Sequence, residues 1–233
     1  MRKTPLVNQQ IYHIYNRGVE KRNIFLDEKD YYRFIHDIYE FNDSNPARNL
    51  GFHFARLSGN SGKRESRTPR KMLVEVLCFC LMPNHYHLLL KQRTSGGITE
   101  FMRKLGTGYT NYFNKKNDRV GSLFQGRYKS VHIKNDQQLF YIPHYIHLNP
   151  LDLKYPEWRE KKVGSISSSV SYLESYRWSS YLDFIEKANF PFVTQRDLLL
   201  KAYESRFGLT YEKAIKGWMK NLNLHLIKDI LID

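Results

Sequence analysis

The chain has 233 residues, is 41% hydrophobic, and carries 37 Lys and Arg against 23 Asp and Glu, a formal charge of +14. Its length suits one domain with an appendage, or two small domains, and allows a sizeable core. No apolar run is long enough to cross a bilayer, and the opening MRKTPLVNQQ lacks the apolar segment of a signal peptide, so the sequence predicts a cytoplasmic protein without a membrane anchor.

Such an excess of positive charge, in a chain that is 15% aromatic, points to a polyanionic partner. Nucleic acid comes ahead of an anionic membrane surface, because phosphates are met by Lys and Arg and unpaired bases stack on aromatic rings. The only cysteines, Cys78 and Cys80, fall two apart on one strand, too close for an ordinary disulfide.

In chain order, residues 11–17 (IYHIYNR) read as a first strand ended by Gly18. Asp27 is placed to cap a helix to about Asn42, with Tyr31, Phe34, Ile35 and Ile38 as its apolar stripe. A short strand is expected over 50–57, and the polar, basic stretch 58–71 reads as an inserted surface loop. Met72–Leu81, a turn at Met82-Pro83-Asn84 and His85–Lys91 form a hairpin.

Gly96-Gly97 precedes a helix to about Lys116, buried along Ile98, Phe101, Met102, Leu105, Tyr109, Tyr112 and Phe113; Arg103, Lys104, Lys115 and Lys116 lie off that stripe. Residues 123–134 read as a strand, and Asp136 as the cap of a helix towards Asn149-Pro150. The order predicts an α+β fold, a ferredoxin-like antiparallel sheet with helices on one face. Residues 1–150 form the main domain on this reading. Residues 151–233 form an extension, irregular to about 175 and then helical near 194–206 and 210–222.

The chemistry concentrates in Cys80-Leu81-Met82-Pro83-Asn84-His85-Tyr86-His87. Side chains alternate on a strand, so His85 and His87 share a face and form half a metal site. In Tyr145-Ile146-His147-Leu148-Asn149, the first and last residues are four apart and share a helix face. An amide oxygen beside two imidazoles leaves room for phosphate and water, and suits Mg²⁺ or Mn²⁺ better than a closed zinc site. A phenol beside such a metal can attack a phosphodiester and form phosphotyrosine.

Together, LMPNHYHLLL (81–90), NDRVGSLFQGRYKS (117–130) and YIHLNP (145–150) make the chain resemble the HUH-superfamily tyrosine transposases, specifically the REP-associated branch. YHIYNRG (12–18) is similar to that family's first strand and YRWSSY (176–181) to its C-terminal extension. The resemblance implies a metal-dependent endonuclease and strand-transferase acting on single-stranded or hairpin DNA. It implies His85 and His87 as metal ligands, Asn149 completing the metal site, and Tyr145 as the nucleophile that leaves a 5′-phosphotyrosine and a free 3′-OH. This chain departs from the pattern with Tyr86 between the histidines and Pro143 two residues before Tyr145, where a kink is expected.

Candidate DNA-binding cations are Arg17, Lys21, Arg22, Arg103, Lys104, Arg127 and Lys129. Tyr109, Tyr112 and above all Tyr141, one turn before Tyr145, are rival nucleophiles. His144 and His147 are candidates for proton transfer, with His147 expected rather at the surface. Ordinary packing of the histidines and a zinc site of Cys78, Cys80, His85 and His87 are the other local readings. Two further functions stay open: a non-cleaving binder of DNA hairpins, and a metal-dependent RNA or nucleotide hydrolase. With its extension, the chain is expected to act as a monomer or weak homodimer.

Overall fold

A computed structural model describes residues 5–45, 69–160 and 165–220. The strand expected over 50–57 and most of the 58–71 insertion lie outside the described residues. The sheet contains β1 (Ile11–Arg17), β2 (Val74–Met82), β3 (His85–Gln92) and β4 (Lys129–His132). Its spatial order is β2-β3-β1-β4, and every neighbouring pair is antiparallel. Helix α1 (Glu28–Glu40) follows β1, α2 (Gly97–Lys116) links β3 to β4, and α3 (Asp136–Leu148) follows β4. This is the ferredoxin-like order of elements.

The helices form where local signals agree. Asp27 accepts from the Asp30 amide and caps α1. The expected apolar stripes of α1 and α2 pack on one sheet face, against Tyr12, Ile14, Phe79, Tyr86 and Leu88. Each fully buried Phe or Ile there contributes roughly 1.5–3 kcal/mol. Lys116, near the end of α2, donates to Asp27 at 2.8 Å and Asp30 at 2.6 Å, tying its tail to the start of α1.

The opposite face carries a second core. Leu77, Cys78, Cys80, Met82 and Leu89 pack there against α3 and the C-terminal helices α4 (Ile166–Ser175), α5 (Tyr181–Phe184), α6 (Asp197–Phe207) and α7 (Tyr211–Lys220). The extension also seals the free edge of β2. Leu81 N donates to Trp178 O at 2.9 Å, and Ser180 N donates to Phe79 O at 3.0 Å. An uncovered edge strand would offer unpaired backbone groups to other chains. No described helix is long and apolar enough to cross a membrane.

Several local expectations change. The strand over 123–134 is regular only at β4, because Gly126 has φ 139° and breaks the ladder; Phe124 makes an isolated bridge to Gly18. Asn135, not Asp136, caps α3 and accepts from the Gln138 amide at 2.9 Å. Helix α3 continues through Pro143. The serine-rich segment expected to be irregular forms α4, because Ser165 caps it and Val170 and Leu173 find a core.

Candidate active site

The β2–β3 hairpin turns at Pro83-Asn84 and sets Cys80 opposite His87 and Met82 opposite His85. From the other side β1 sets Tyr15 against His87 and Arg17 against His85. Both histidines therefore project from the face that α3 covers. Their rings lie 5.0 Å apart between centroids, inclined at 78°.

Each imidazole has an identifiable partner. His85 Nδ1 is 2.6 Å from Asn84 Oδ1, which can only accept, so Nδ1 carries the proton and Nε2 keeps its lone pair. His87 Nδ1 shares a 2.9 Å hydrogen bond with His13 Nε2, and His87 Nε2 is buried without a partner. Burial, with Arg17 nearby, pushes the His85 pKa down to about 4. Burial, with His85 and His13 nearby, holds His87 well below the usual range. Neutral imidazoles are the form that binds metal.

Tyr145 comes from the last turns of α3 and is 1% exposed. Its ring stands edge-on to His87, 5.6 Å between centroids, and 6.2 Å from His13. Asn149 is fully buried at the end of α3. Its Nδ2 donates to Tyr145 O at 2.8 Å, and its Oδ1 accepts from Arg159 Nη2 at 3.1 Å.

The structure thus brings His85, His87, Tyr145 and Asn149 to one place. It adds His13 and Arg159, which sequence reasoning did not single out. The alternation on β1 could have found His13, which lies two positions before Tyr15 on the same strand face. Arg159 left no periodic signal.

A divalent ion fits the two histidines as a two-nitrogen half-site, with the unpartnered Nε2 of His87 as the most direct indication. An amide oxygen has two lone pairs, so Asn149 retains one beside its Arg159 bond. Among the described residues no group of three or more His, Cys, Asp or Glu side chains is arranged to hold a metal. The zinc alternative therefore gains nothing, and both cysteines are free and buried.

The candidate cations separate. Arg17 is partly buried beside His85, and its Nε has no hydrogen-bond partner. Lys129 sits opposite Tyr15, on the histidine face, and is exposed, as is Arg127. Lys21 and Arg22 are exposed just after β1, with Arg22 paired to Glu20 at 2.9 Å. Arg103 and Lys104 belong to α2, on the opposite side of the sheet. Arg103 pairs with Glu100, and Lys104 donates to the carbonyls of Asp43 and Asn45, so hydrogen bonds within the protein account for both.

The rival tyrosines are accounted for by packing. Tyr109 donates to Ile24 O, Tyr112 to Asp30, and Tyr141 packs beside Trp218. His147 is fully buried rather than at the surface, bonded to Tyr211 Oη at 2.6 Å and Ser180 Oγ at 2.8 Å. His144 is enclosed by Tyr203, Tyr211 and Trp218. The second core left room for both rings.

Residues 65–149 match the family model of IS200-like transposases. A solved REP-associated tyrosine transposase bound to a REP hairpin aligns with a TM-score of 0.50 at 13% identity, over 85% of this chain and 92% of that one. A tRNA(His) guanylyltransferase from Saccharomyces cerevisiae aligns with a TM-score of 0.37 at 10% identity, over 90% of this chain and 82% of that one. No curated protein matches the chain. The chain thus shares its α+β fold with a solved REP-associated tyrosine transposase, and the paired histidines fall within the stretch that is similar to IS200-like transposases.

Proposed function

We propose that the protein is a metal-dependent single-strand DNA endonuclease and strand-transferase acting on hairpin-flanked DNA. The observation that carries this reading is the placement of the Tyr145 ring against His87, within one buried cluster with His85 and Asn149. His85 and His87, completed by Asn149, would hold Mg²⁺ or Mn²⁺. When bound, the ion would polarise a phosphate oxygen and stabilise the charge that develops on it.

The chain's own part is nucleophilic. The Tyr145 phenol loses its proton and its oxygen bonds to the scissile phosphorus. The bond from phosphorus to the 3′ oxygen breaks, and that oxygen takes up a proton as a free 3′-OH. The 5′-phosphotyrosine conserves the phosphodiester, so a second 3′-OH can reverse the step on another strand. Arg17, Lys129, Arg127, Lys21 and Arg22 would hold the DNA backbone. A cytoplasmic location and a monomeric or weakly dimeric state belong to the same proposal, as does a catalytic unit over 1–150 with 151–233 as its extension.

Single-stranded hairpin oligonucleotides drawn from the flanks of the coding sequence test it. With Mn²⁺ or Mg²⁺ the protein should form a DNA adduct that survives denaturation in SDS. Tight binding with no adduct, on DNA that carries the recognised site, would support the hairpin binder instead. Release of products with no covalent species would support the hydrolase.

A further inference from the structure

The residue after Trp158 reaches back into the site from outside the family-matched segment. Arg159 lies on the 3-10 turn Pro156–Glu160, and Trp158, fully buried, anchors that turn. Its guanidinium is gripped by Asp152, with Nε to Oδ1 at 2.9 Å and Nη2 to Oδ2 at 2.6 Å. Asp152 is itself fixed by Trp158 Nε1 at 2.6 Å. The same Nη2 donates to Asn149 Oδ1 at 3.1 Å. The guanidinium carbon sits 5.2 Å from the centre of the Tyr145 ring and 4.8 Å from that of Trp158.

We propose that Arg159 is a positioning residue for the transesterification: it orients the Asn149 amide and the Tyr145 ring, so the C-terminal extension completes the active site. This rests on Tyr145 being the nucleophile. A planar fork held along its Nε–Nη2 edge by both oxygens of one carboxylate has little freedom left. Its third contact then fixes the Asn149 amide, and its face fixes the phenol ring through a cation–π contact. Burial alone would weaken the guanidinium's charge, but Asp152 and Tyr145 more than offset it and hold its pKa above the usual value. A lysine would supply the charge without the fork.

The test is single-turnover adduct formation at saturating hairpin DNA and saturating Mn²⁺, for wild type, Arg159→Ala and Arg159→Lys. Metal-free hairpin affinity and thermal midpoint are measured on the same full-length preparations. Arg159→Ala should lower the single-turnover rate by about ten- to a hundredfold, the scale expected when a reacting group is misplaced. Arg159→Lys should recover only part of it, and metal-free hairpin affinity should stay within about twofold, since no phosphate contact is removed.

Unchanged rates in both variants would overturn the proposal. So would a higher rate, which would make Arg159 a cover over the tyrosine. A parallel fall of rate, affinity and melting temperature in Arg159→Lys would also overturn it, by making Arg159 a structural clamp. If Arg159→Ala does not fold, Arg159→Lys alone decides, because it keeps the charge and most of the volume. A wild-type protein that forms no adduct would instead refute the parent reading.

Discussion

An imidazole binds a divalent cation through an unprotonated nitrogen, so what its other nitrogen touches decides whether it is ready. Asn84 settles this for His85, and His13 is positioned to settle it for His87. His13→Phe keeps a ring on β1 but removes that partner. The expected outcome is a loss of roughly ten- to a hundredfold in apparent Mn²⁺ affinity, read from a metal titration of adduct formation. An unchanged midpoint would show that His87 does not depend on His13. At this scale the grouping of His85, His87 and Tyr145 was legible, because strand and helix periodicity place them where the structure brings them together. The approach of Arg159 to Asn149 and Tyr145 was not legible, because it depends on a non-periodic turn that folds back onto α3.

The elements show a similar division. Strand alternation and helical stripes located β1, α1, β2, β3 and α2 to within about two residues. The strand over 123–134 was drawn too long because one glycine conformation interrupts it. His147 was misjudged because a second core covers α3 on sides that a two-layer reading leaves to solvent.

Gly18 shows how tightly the end of β1 is built. A Cβ added there would lie 2.2 Å from the carbonyl oxygen of Arg22. Gly18→Ala should therefore cost about 1–3 kcal/mol through overpacking, measured by chemical denaturation. A variant as stable as wild type would mean that the loop yields without cost. The effect should extend to hairpin binding, because Arg17, Lys21 and Arg22 flank this position.

Across the whole molecule, the sheet is sandwiched between two cores, and one belongs largely to the C-terminal helices. Removing residues from 165 onward would expose the apolar residues of α3 and the edge of β2. The fragment 1–164 should lose cooperative thermal unfolding by circular dichroism, and a sharp transition in it would contradict this account. The histidines buried in that second core add a pH dependence. Burial pushes the His144 pKa down to about 3, and burial with His144 nearby holds His147 well below its usual value.

An unfolded histidine takes up a proton near pH 6.5, while these remain neutral in the folded chain. Their contribution is therefore intact above about pH 6.5 and is lost as the pH falls towards the folded values. His144 alone accounts for about 1.4 kcal/mol per pH unit in that window. Denaturation at roughly pH 7 and pH 5 should show the decline, and His144→Phe should make it shallower. Equal stability at both values would refute this reading.

The central claim is that one tyrosine on α3 carries the chemistry. The most direct measurement is mass spectrometry of the trapped protein–DNA adduct after nuclease and protease digestion. The account predicts a nucleotide phosphate on Tyr145 and no adduct from Tyr145→Phe, which should still bind the hairpin. A phosphate on Tyr141, or an adduct that persists in Tyr145→Phe, would contradict it.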